Sequence, residues 1–483
     1  MEDDHGREGK KMKVSFISSP FVVPEPYLFH SVAPPLGLLY IASTLRDKGH
    51  DVSIIDLIAA APIKRRSISD GIDRFGLTNE DVIEELNEQS PDVIGVSIMF
   101  INSLGASVSL LNSIADNFPD AVLVAGGHAA TVAYADLFQS VEGLDAVALG
   151  EGERNFPAWL GNSVMKGRLQ EHPSIATRSS WYSGKDHTFA IVKDIDSLPM
   201  PSHDLVLNKY GNYTSYPICT SRGCPRNCIF CSVHTLCGRS WRTRNIRDII
   251  KEIDYLSREF QIDSFYITDD NFSLDPLRVI EFCKDLNQLG SNIRWNCLSG
   301  VTPETVSYDM LRSMKESGCE ALSLAVESAN EFIQEKIGKK ISLERVRKII
   351  AWCREIGIFT NGMFIIGIPG ETKETVEESL GFALDVHFDG ISVAIATPFP
   401  GTRLYDECIT NGYLVERDIG NYNLRESLIS TPQLTADELK ASQTYFLRKY
   451  EENYMGRVPY EKVKLYMRNP NRESWEAIQP YLF

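Results

Sequence analysis

From Val14 to about Asn162 the chain alternates short apolar runs with longer amphipathic stretches, five times over. The runs KVSFISS, DVSIID, DVIGVSI, AVLVAGG and AVALGEG are β-branched or apolar throughout, and LGLLYIASTLRDKG, NEDVIEELNEQ and SLGASVSLLNSIADNF lie between them. Strands that are apolar on both faces and separated by helices predict a parallel sheet covered on each side, a doubly wound α/β domain. Such a sheet binds ligands beyond the carboxyl ends of its strands. The residues expected there are Ser97, Met99 and Asn102 in SIMFIN, then Gly126, Gly127 and His128, then Gly150, Glu151, Gly152 and Glu153. Glycines at strand ends leave room for a broad ligand against backbone; they also serve plain tight turns, and a lone histidine such as His128 is more often a satisfied polar residue than a metal ligand.

The alternation breaks between 163 and about 214, where SSWYSGKDH and SLPMPSHD suit a linker with small strands, and then returns six times from Ser215 to about Leu414. YPICTS, SFYITD, IRWNCL, ALSLAV, TNGMFIIGI and ISVAIAT read as strands. The first helix among them carries an apolar stripe of Ile246, Ile249, Ile250, Ile253 and Leu256 behind Asn245 as N-cap, and Thr302-Pro303 and Thr372 mark later helix starts. Six such units predict a partial β/α barrel whose active site lies at the strands' carboxyl ends. The expected division is a disordered head over 1–11, a ligand-binding domain over 12–162, a linker over 163–214, a barrel over 215–420 and a helical region over 421–483, with ADELKASQTYFLRKYEENY and ESWEAIQPYL as helices.

With 483 residues, 43% of them hydrophobic, the chain has ample material for these cores. No apolar run reaches the length of a membrane span and no secretory signal opens the chain, so a cytoplasmic protein is expected. A net charge of -16 argues against a partner held by its phosphates. A local basic patch, Thr235 to Asn245 (TLCGRSWRTRN), reads as a solvated loop or as an anchor for an anionic group.

Ten cysteines in such a chain make no disulfide framework. Seven are scattered, and only Cys224, Cys228 and Cys231, just after the first barrel strand, have the spacing of ligands. Three thiolates leave one position of a metal centre open; a closed zinc site would need Cys219, His234 or Cys237 as a fourth ligand.

CPRNCIFC, with Phe230 before its last cysteine, resembles the CxxxCxxC signature of the radical SAM superfamily. The resemblance implies that the three cysteines hold a 4Fe-4S cluster whose open iron binds S-adenosylmethionine, and that an electron from the cluster cleaves that molecule to a 5'-deoxyadenosyl radical. It further implies Asp269 and Asp270 (YITDDNF) near the methionine ammonium group, Glu327 and Ser328 (LAVESAN) at the ribose, and Gly367 and Ile368 (FIIGIPGET) beside the adenine. Ala329-Asn330 departs from the glycine more usual after the serine.

The first domain, with PPLGLLYIASTLRDKGHDVSIID, SIMF, AGGH and LGEGE, resembles the cobalamin-binding domain of the cobalamin-dependent (class B) radical SAM enzymes. No DxHxxG is present, so the resemblance implies cobalamin without a protein histidine on cobalt. It implies a methyltransferase acting on an unactivated carbon or a phosphinate phosphorus, in which one S-adenosylmethionine methylates cob(I)alamin and a second yields the radical. A small-molecule substrate and an external electron donor such as flavodoxin or ferredoxin follow, with no nucleic acid. An oxidative cyclase or ring-rearranging enzyme is the alternative with the same cofactors, and a cobalamin-binding sensor with structural zinc is one of another class.

Overall fold

In the computed structural model of the chain, residues 11–24, 32–62, 64–69, 72–161, 169–290, 292–416, 422 and 427–454 are described. The head over 1–10 and the second expected terminal helix, ESWEAIQPYL, lie outside them. The chain forms two compact units.

In the first unit β1 (Lys13–Ser18), β2 (Asp51–Ile55), β3 (Val93–Ser97), β4 (Val122–Gly126) and β5 (Ala146–Ala148) form a parallel sheet in the order β2-β1-β3-β4-β5. Val93 to Val96 and Val122 to Ala125 are buried without a break, as strands covered on both faces must be. Helices α1 (Leu36–Asp47), α2 (Asn79–Gln89), α3 (Leu104–Asn117) and α4 (Gly152–Leu160) supply the layers. Thr78 starts α2 with a capping box closed by Asp81.

Two features go beyond the five expected units. A sixth strand, β6 (Ile175–Thr177), pairs antiparallel with β5, so the segment after Asn162 extends the sheet and belongs to the first unit through Tyr213. Phe21–Pro24, Arg65–Ser69 and Ile72–Phe75 form a small antiparallel sheet of their own.

In the second unit β7 (Pro217–Ile218), β8 (Ser264–Ile267), β9 (Arg294–Val301), β10 (Cys319–Glu327), β11 (Phe359–Ile366) and β12 (Gly390–Ile395) run parallel in sequence order. This is a six-stranded open barrel. α5 (Ile246–Phe260), α6 (Pro276–Asn287), α7 (Tyr308–Glu316), α8 (Leu343–Ile356), α9 (Lys373–Val386) and α10 (Arg403–Asn411) follow the strands. Asn245 caps α5 by accepting the Arg247 N–H at 3.0 Å, and Thr372 caps α9. Thr302-Pro303 opens only a 3-10 turn: Pro303 lacks an N–H, and α7 begins after Ser307, whose hydroxyl accepts from Met310. The last described helix, α11 (Ala436–Tyr454), packs on α9 and β12, where Gln443 donates to the Val393 carbonyl at 2.8 Å and Phe446 meets Phe364 at 5.3 Å between ring centroids.

Candidate active site

The three-cysteine loop follows a short antiparallel ribbon, Ser221–Arg222 paired with Arg242–Thr243, at the carboxyl end of β7. Two later parts of the barrel hold the loop. On one side Asp270, at the end of β8, accepts the Gly223 N–H at 2.7 Å, and the Asn271 amide lies 3.7 Å from the Cys224 sulfur. On the other, Ile229 donates to the Ile337 carbonyl at 2.9 Å and accepts from Leu404 at 3.0 Å, while Arg403 donates to the Asn227 carbonyl. Ile229 is buried and Phe230 half-buried, so the apolar pair in CIFC pins the loop while the sulfurs stay partly open.

Cys224, Cys228 and Cys231 are half-buried free thiols; the other seven cysteines are buried. Burial pushes the Cys231 thiol up to about 11, and Cys228, Cys224 and Asp270 add to the rise against the Val233 N–H. Cys228 is raised first by burial, with the Lys339 ammonium opposing and Glu327 and Cys224 reinforcing. The three thiols therefore lie in one another's field, and binding a metal there releases protons. Among the described residues no three His, Cys, Asp or Glu side chains converge on a point as ligands of one ion do. A four-iron cluster takes each thiolate on a different iron and needs no such convergence. Three separate, partly open thiols with an amide N–H on one sulfur fit that cluster. Of the sulfurs considered as a fourth ligand, Cys219 is buried and turned to the Ser221 carbonyl at 3.4 Å.

The residues expected around S-adenosylmethionine divide sharply. Asp269 is fully enclosed, accepting from the Thr220 N–H at 2.6 Å and from the hydroxyls of Thr220 and Ser221 at 2.5 and 2.6 Å, and it holds the end of β7 rather than facing the opening. Asp270, half-buried beside the cysteine loop, is the better placed of the two. Glu327 ends β10 at φ 66° beside a bulge, its carboxylate 2.8 Å from Lys339, whose ammonium also donates to the Ala325 carbonyl at 2.8 Å. Ser328 is buried against Ser379 on α9, at 3.3 Å. Asn330 caps the Glu331–Ile337 helix, so the departure from glycine has a local structural use.

Gly367 and Ile368, after β11, are both buried, and their N–H groups are taken by the Glu371 carboxylate at 2.5 and 3.3 Å. These two N–H groups are therefore not free for a ligand. Glu371 is 1% exposed, and burial pushes its carboxyl up to about 7. The sequence reading missed both Lys339 and Glu371; an acid immediately after an apolar Gly-Ile-Pro-Gly turn was the available signal.

The basic patch is mostly internal. Arg242 donates to the Cys237 carbonyl at 2.8 Å, and Arg244 donates to the Cys219 carbonyl and pairs with buried Glu252 at 2.7 Å. Only Arg239 among its arginines is exposed.

In the first unit, β3, β4 and β5 end together. The Ile98 N–H meets the Gly126 carbonyl at 2.7 Å, Ala129 donates to Ile98 at 3.0 Å, and Gly150 donates to the Thr131 hydroxyl at 3.0 Å. Gly127 has φ 97°, and a Cβ on it would lie 2.6 Å from the Ile98 oxygen, so that glycine is required by the backbone itself; a Cβ on Gly126 would meet nothing closer than Ala148 at 3.7 Å. Met99 is 41% exposed, and Ser97 and His128 are accessible. Gly150 is closed in by Ala190, Glu151 is buried on the Val192 N–H at 2.5 Å, Glu153 is buried in α4, and Asn102 donates to the Val22 carbonyl at 2.5 Å. Gly152 opens α4 with Ile41 3.0 Å from where a Cβ would stand. Ser97, Met99, Gly126 and His128 are thus accessible among the residues expected at these strand ends.

The chain matches the radical SAM superfamily over residues 218–383 and the B12-binding domain over 29–160. It is 31% identical over 452 residues to an uncharacterized methyltransferase of Pyrococcus horikoshii, covering 91% of this chain and 93% of that one. It is also 31% identical over 449 residues to the cytidylyl-2-hydroxyethylphosphonate methyltransferase of Streptomyces wedmorensis, covering 83% and 82%. The solved radical S-adenosylmethionine methyltransferase TsrM of Kitasatospora setae shares the fold with a TM-score of 0.65 at 17% identity, over 84% of this chain and 76% of that one. No helix among the described residues is long and apolar enough to cross a membrane.

Proposed function

The chain belongs to the cobalamin-dependent radical SAM enzymes of the methyltransferase kind, which work with a 4Fe-4S cluster, S-adenosylmethionine and cobalamin, and we propose that it methylates an unactivated carbon, or a phosphinate phosphorus, of a small molecule. The observation that carries this reading is the cysteine loop fastened to both sides of the barrel mouth, with Asp270 and Asn271 against one flank and Ile337 against the other. Bound together, the cluster supplies the electron that cleaves S-adenosylmethionine and the cobalamin carries the methyl group.

The chain's own contribution is position and seclusion. Cys224, Cys228 and Cys231 are the cluster ligands. Asp270 accepts from the methionine ammonium, Glu327 accepts from the ribose hydroxyls with Lys339 fixing its carboxylate, and the Gly367-Ile368 turn, held by Glu371, backs the adenine. Phe230 shields the cluster side of the loop. Asp269 and Ser328 act one step behind, holding β7 and the β10 turn. In the first unit Ser97, Met99, Gly126 and His128 border the cobalamin, while Gly127, Gly150 and Glu151 keep the strand ends in place. We place the enzyme in the cytoplasm, reduced by flavodoxin or ferredoxin, with no nucleic-acid partner.

The test is anaerobic incubation of reconstituted protein with methyl-labelled S-adenosylmethionine and, as first acceptor, the cytidylyl ester of 2-hydroxyethylphosphonate. Labelled product together with 5'-deoxyadenosine is expected of an acceptor that fits. A protein holding all three cofactors that forms neither with this or any other acceptor offered sinks the reading.

A further inference from the structure

The inner face of the barrel has unusual material at its floor. Phe265 and Trp295 stack at 6.1 Å, and Trp295 meets Phe282 of α6, so that face of β8 and β9 is the outer one. Asn296, the next residue, therefore points inward. On β11, Gly362 faces Phe388 and Phe364 meets Phe446 of α11, which turns Asn361 and Met363 inward. The Asn361 amide confirms the shared face, donating to Ser323 of β10 at 3.2 Å and to Ser392 of β12 at 3.3 Å. Inward positions of β10 are thus Ala321, Ser323 and Ala325, and those of β12 are Gly390, Ser392 and Ala394.

A closed β/α barrel fills this space with valine, isoleucine and leucine. Here Tyr266, Phe359 and Met363 are bulky inner side chains while β10 and β12 present only alanine, serine and glycine at the positions named, and exposure rises along β12 from buried Gly390 through half-buried Ser392 to exposed Ala394. Asn361 and Asn296 are 3% and 8% exposed, and the side-chain oxygen of each is enclosed with no hydrogen-bond partner among the described residues. Exchanging the Asn361 oxygen and nitrogen moves the orphan without removing it, since the two serines still serve only one end of the amide. Enclosed acceptors left bare are costly, and two on one lining call for a group that completes them.

We propose that Asn296, Ser323, Asn361 and Ser392 form a subsite, on the barrel floor, for a neutral hydroxyl-bearing part of the methyl acceptor. The assignment rests on the reading above that the barrel takes a small-molecule acceptor. A hydroxyl donates to a bare amide oxygen and accepts from a serine hydroxyl, which matches both kinds of group present. An anion would set lone pairs against lone pairs. An ammonium would be desolvated with no carboxylate among these four residues to compensate it. An apolar group would leave the acceptors bare. Sites built to bond a hydroxyl discriminate strongly against analogues without one.

The experiment uses the full chain with its cluster and two probes, propane-1,3-diol and 1,3-dimethoxypropane, which has no donor, followed by saturation-transfer NMR. Wild-type protein is expected to saturate the diol about fivefold more than the diether, the ratio set by one net hydrogen bond. Asn361→Leu is expected to erase that preference with iron content unchanged; Asn296→Val carries the same comparison if the first variant fails to fold. Equal saturation of the two probes by wild type, or a preference that survives both variants, overturns the subsite. So does saturation of neither probe, the result for a floor that takes only water. Because no turnover is involved, a chain that transfers no methyl group yet keeps the diol preference loses the functional reading and retains a hydroxyl-binding floor.

Discussion

At the strand ends of the first unit the residues with special conformations are glycines, Gly127 at φ 97° and Gly150 at φ 80°, packed against the backbone of Ile98 and of Ala190. At the strand ends of the barrel Gly367 has φ 92°, but there a charged residue takes the left-handed conformation as well: Glu327, held at φ 66° and paired with Lys339 in a site where the two side chains are 14% and 6% exposed. In the reading proposed above, one edge is shaped by backbone for a large flat ligand, and the other places individual charges around a small one. The difference teaches that substitution should act on the first through conformation and on the second through charge.

The largest expected separation comes from replacing Cys224, Cys228 and Cys231 together by alanine. Iron should fall to background with corrinoid content largely kept, because the ligands of the two groups lie in different units. An iron-sulfur absorption spectrum surviving in the triple variant would break the comparison at its base.

Next in size is the buried pair. Glu327→Ala leaves the Lys339 ammonium with only the Ala325 carbonyl, and removing one partner of such a pair costs about 3 kcal/mol. Denaturant unfolding should report that loss, and calorimetry should show weaker S-adenosylmethionine binding; Glu327→Gln should be milder on both. Loss of stability with unaltered affinity would confine Glu327 to a structural role.

A smaller effect is expected at the glycines. Gly127→Ala places a Cβ against the Ile98 oxygen and forces a left-handed conformation, at about 1–2 kcal/mol for the conformation alone. Gly126→Ala has room, so its stability should stay near wild type and any fall in corrinoid content would report on the ligand directly. Equal melting temperatures for the two variants would remove the backbone argument.

The smallest effect is a pH dependence at Glu371, where the barrel also relies on backbone. Its carboxyl stands at about 7 when folded, above the ordinary carboxylate value, so the folded state favours the protonated form. Ionisation thus costs stability progressively as pH rises towards 7, and the cost is fully present above it. Glu371→Gln should raise stability at pH 8 by on the order of 1 kcal/mol and change it little at pH 4.5. A gain of the same size at both pH values would assign the effect to packing.

Both parallel sheets were legible because their strands are uninterrupted apolar runs and their helices carry caps such as Asn245 and Thr372. β6 was not, since three residues paired antiparallel at an edge carry no period of their own. The cysteine loop stood out by its spacing, and the barrel's strand-end stretches came from the resemblance to the radical SAM superfamily. Which neighbour in Asp269-Asp270 faces the opening was hidden, because the strand ends there and only Thr220 and Ser221, nearly fifty residues away, decide it. Lys339 was hidden for the same reason: its partner lies across a bulge and a whole helix, a distance no local pattern spans.

The helix α11 also sets an order in time. It covers Phe364 on β11 and packs along β12, and its Tyr450 hydroxyl donates to the Phe388 carbonyl at 2.5 Å. During synthesis the first unit's sheet has all its strands once Thr177 has emerged, whereas β12 has no outer layer until the residues around Tyr450 have left the ribosome. Domains fold as units as they emerge, so the corrin-binding half can be finished while the cysteine half still exposes an apolar face. A ribosome stalled between the two is expected to release a chain that aggregates through its unfinished barrel.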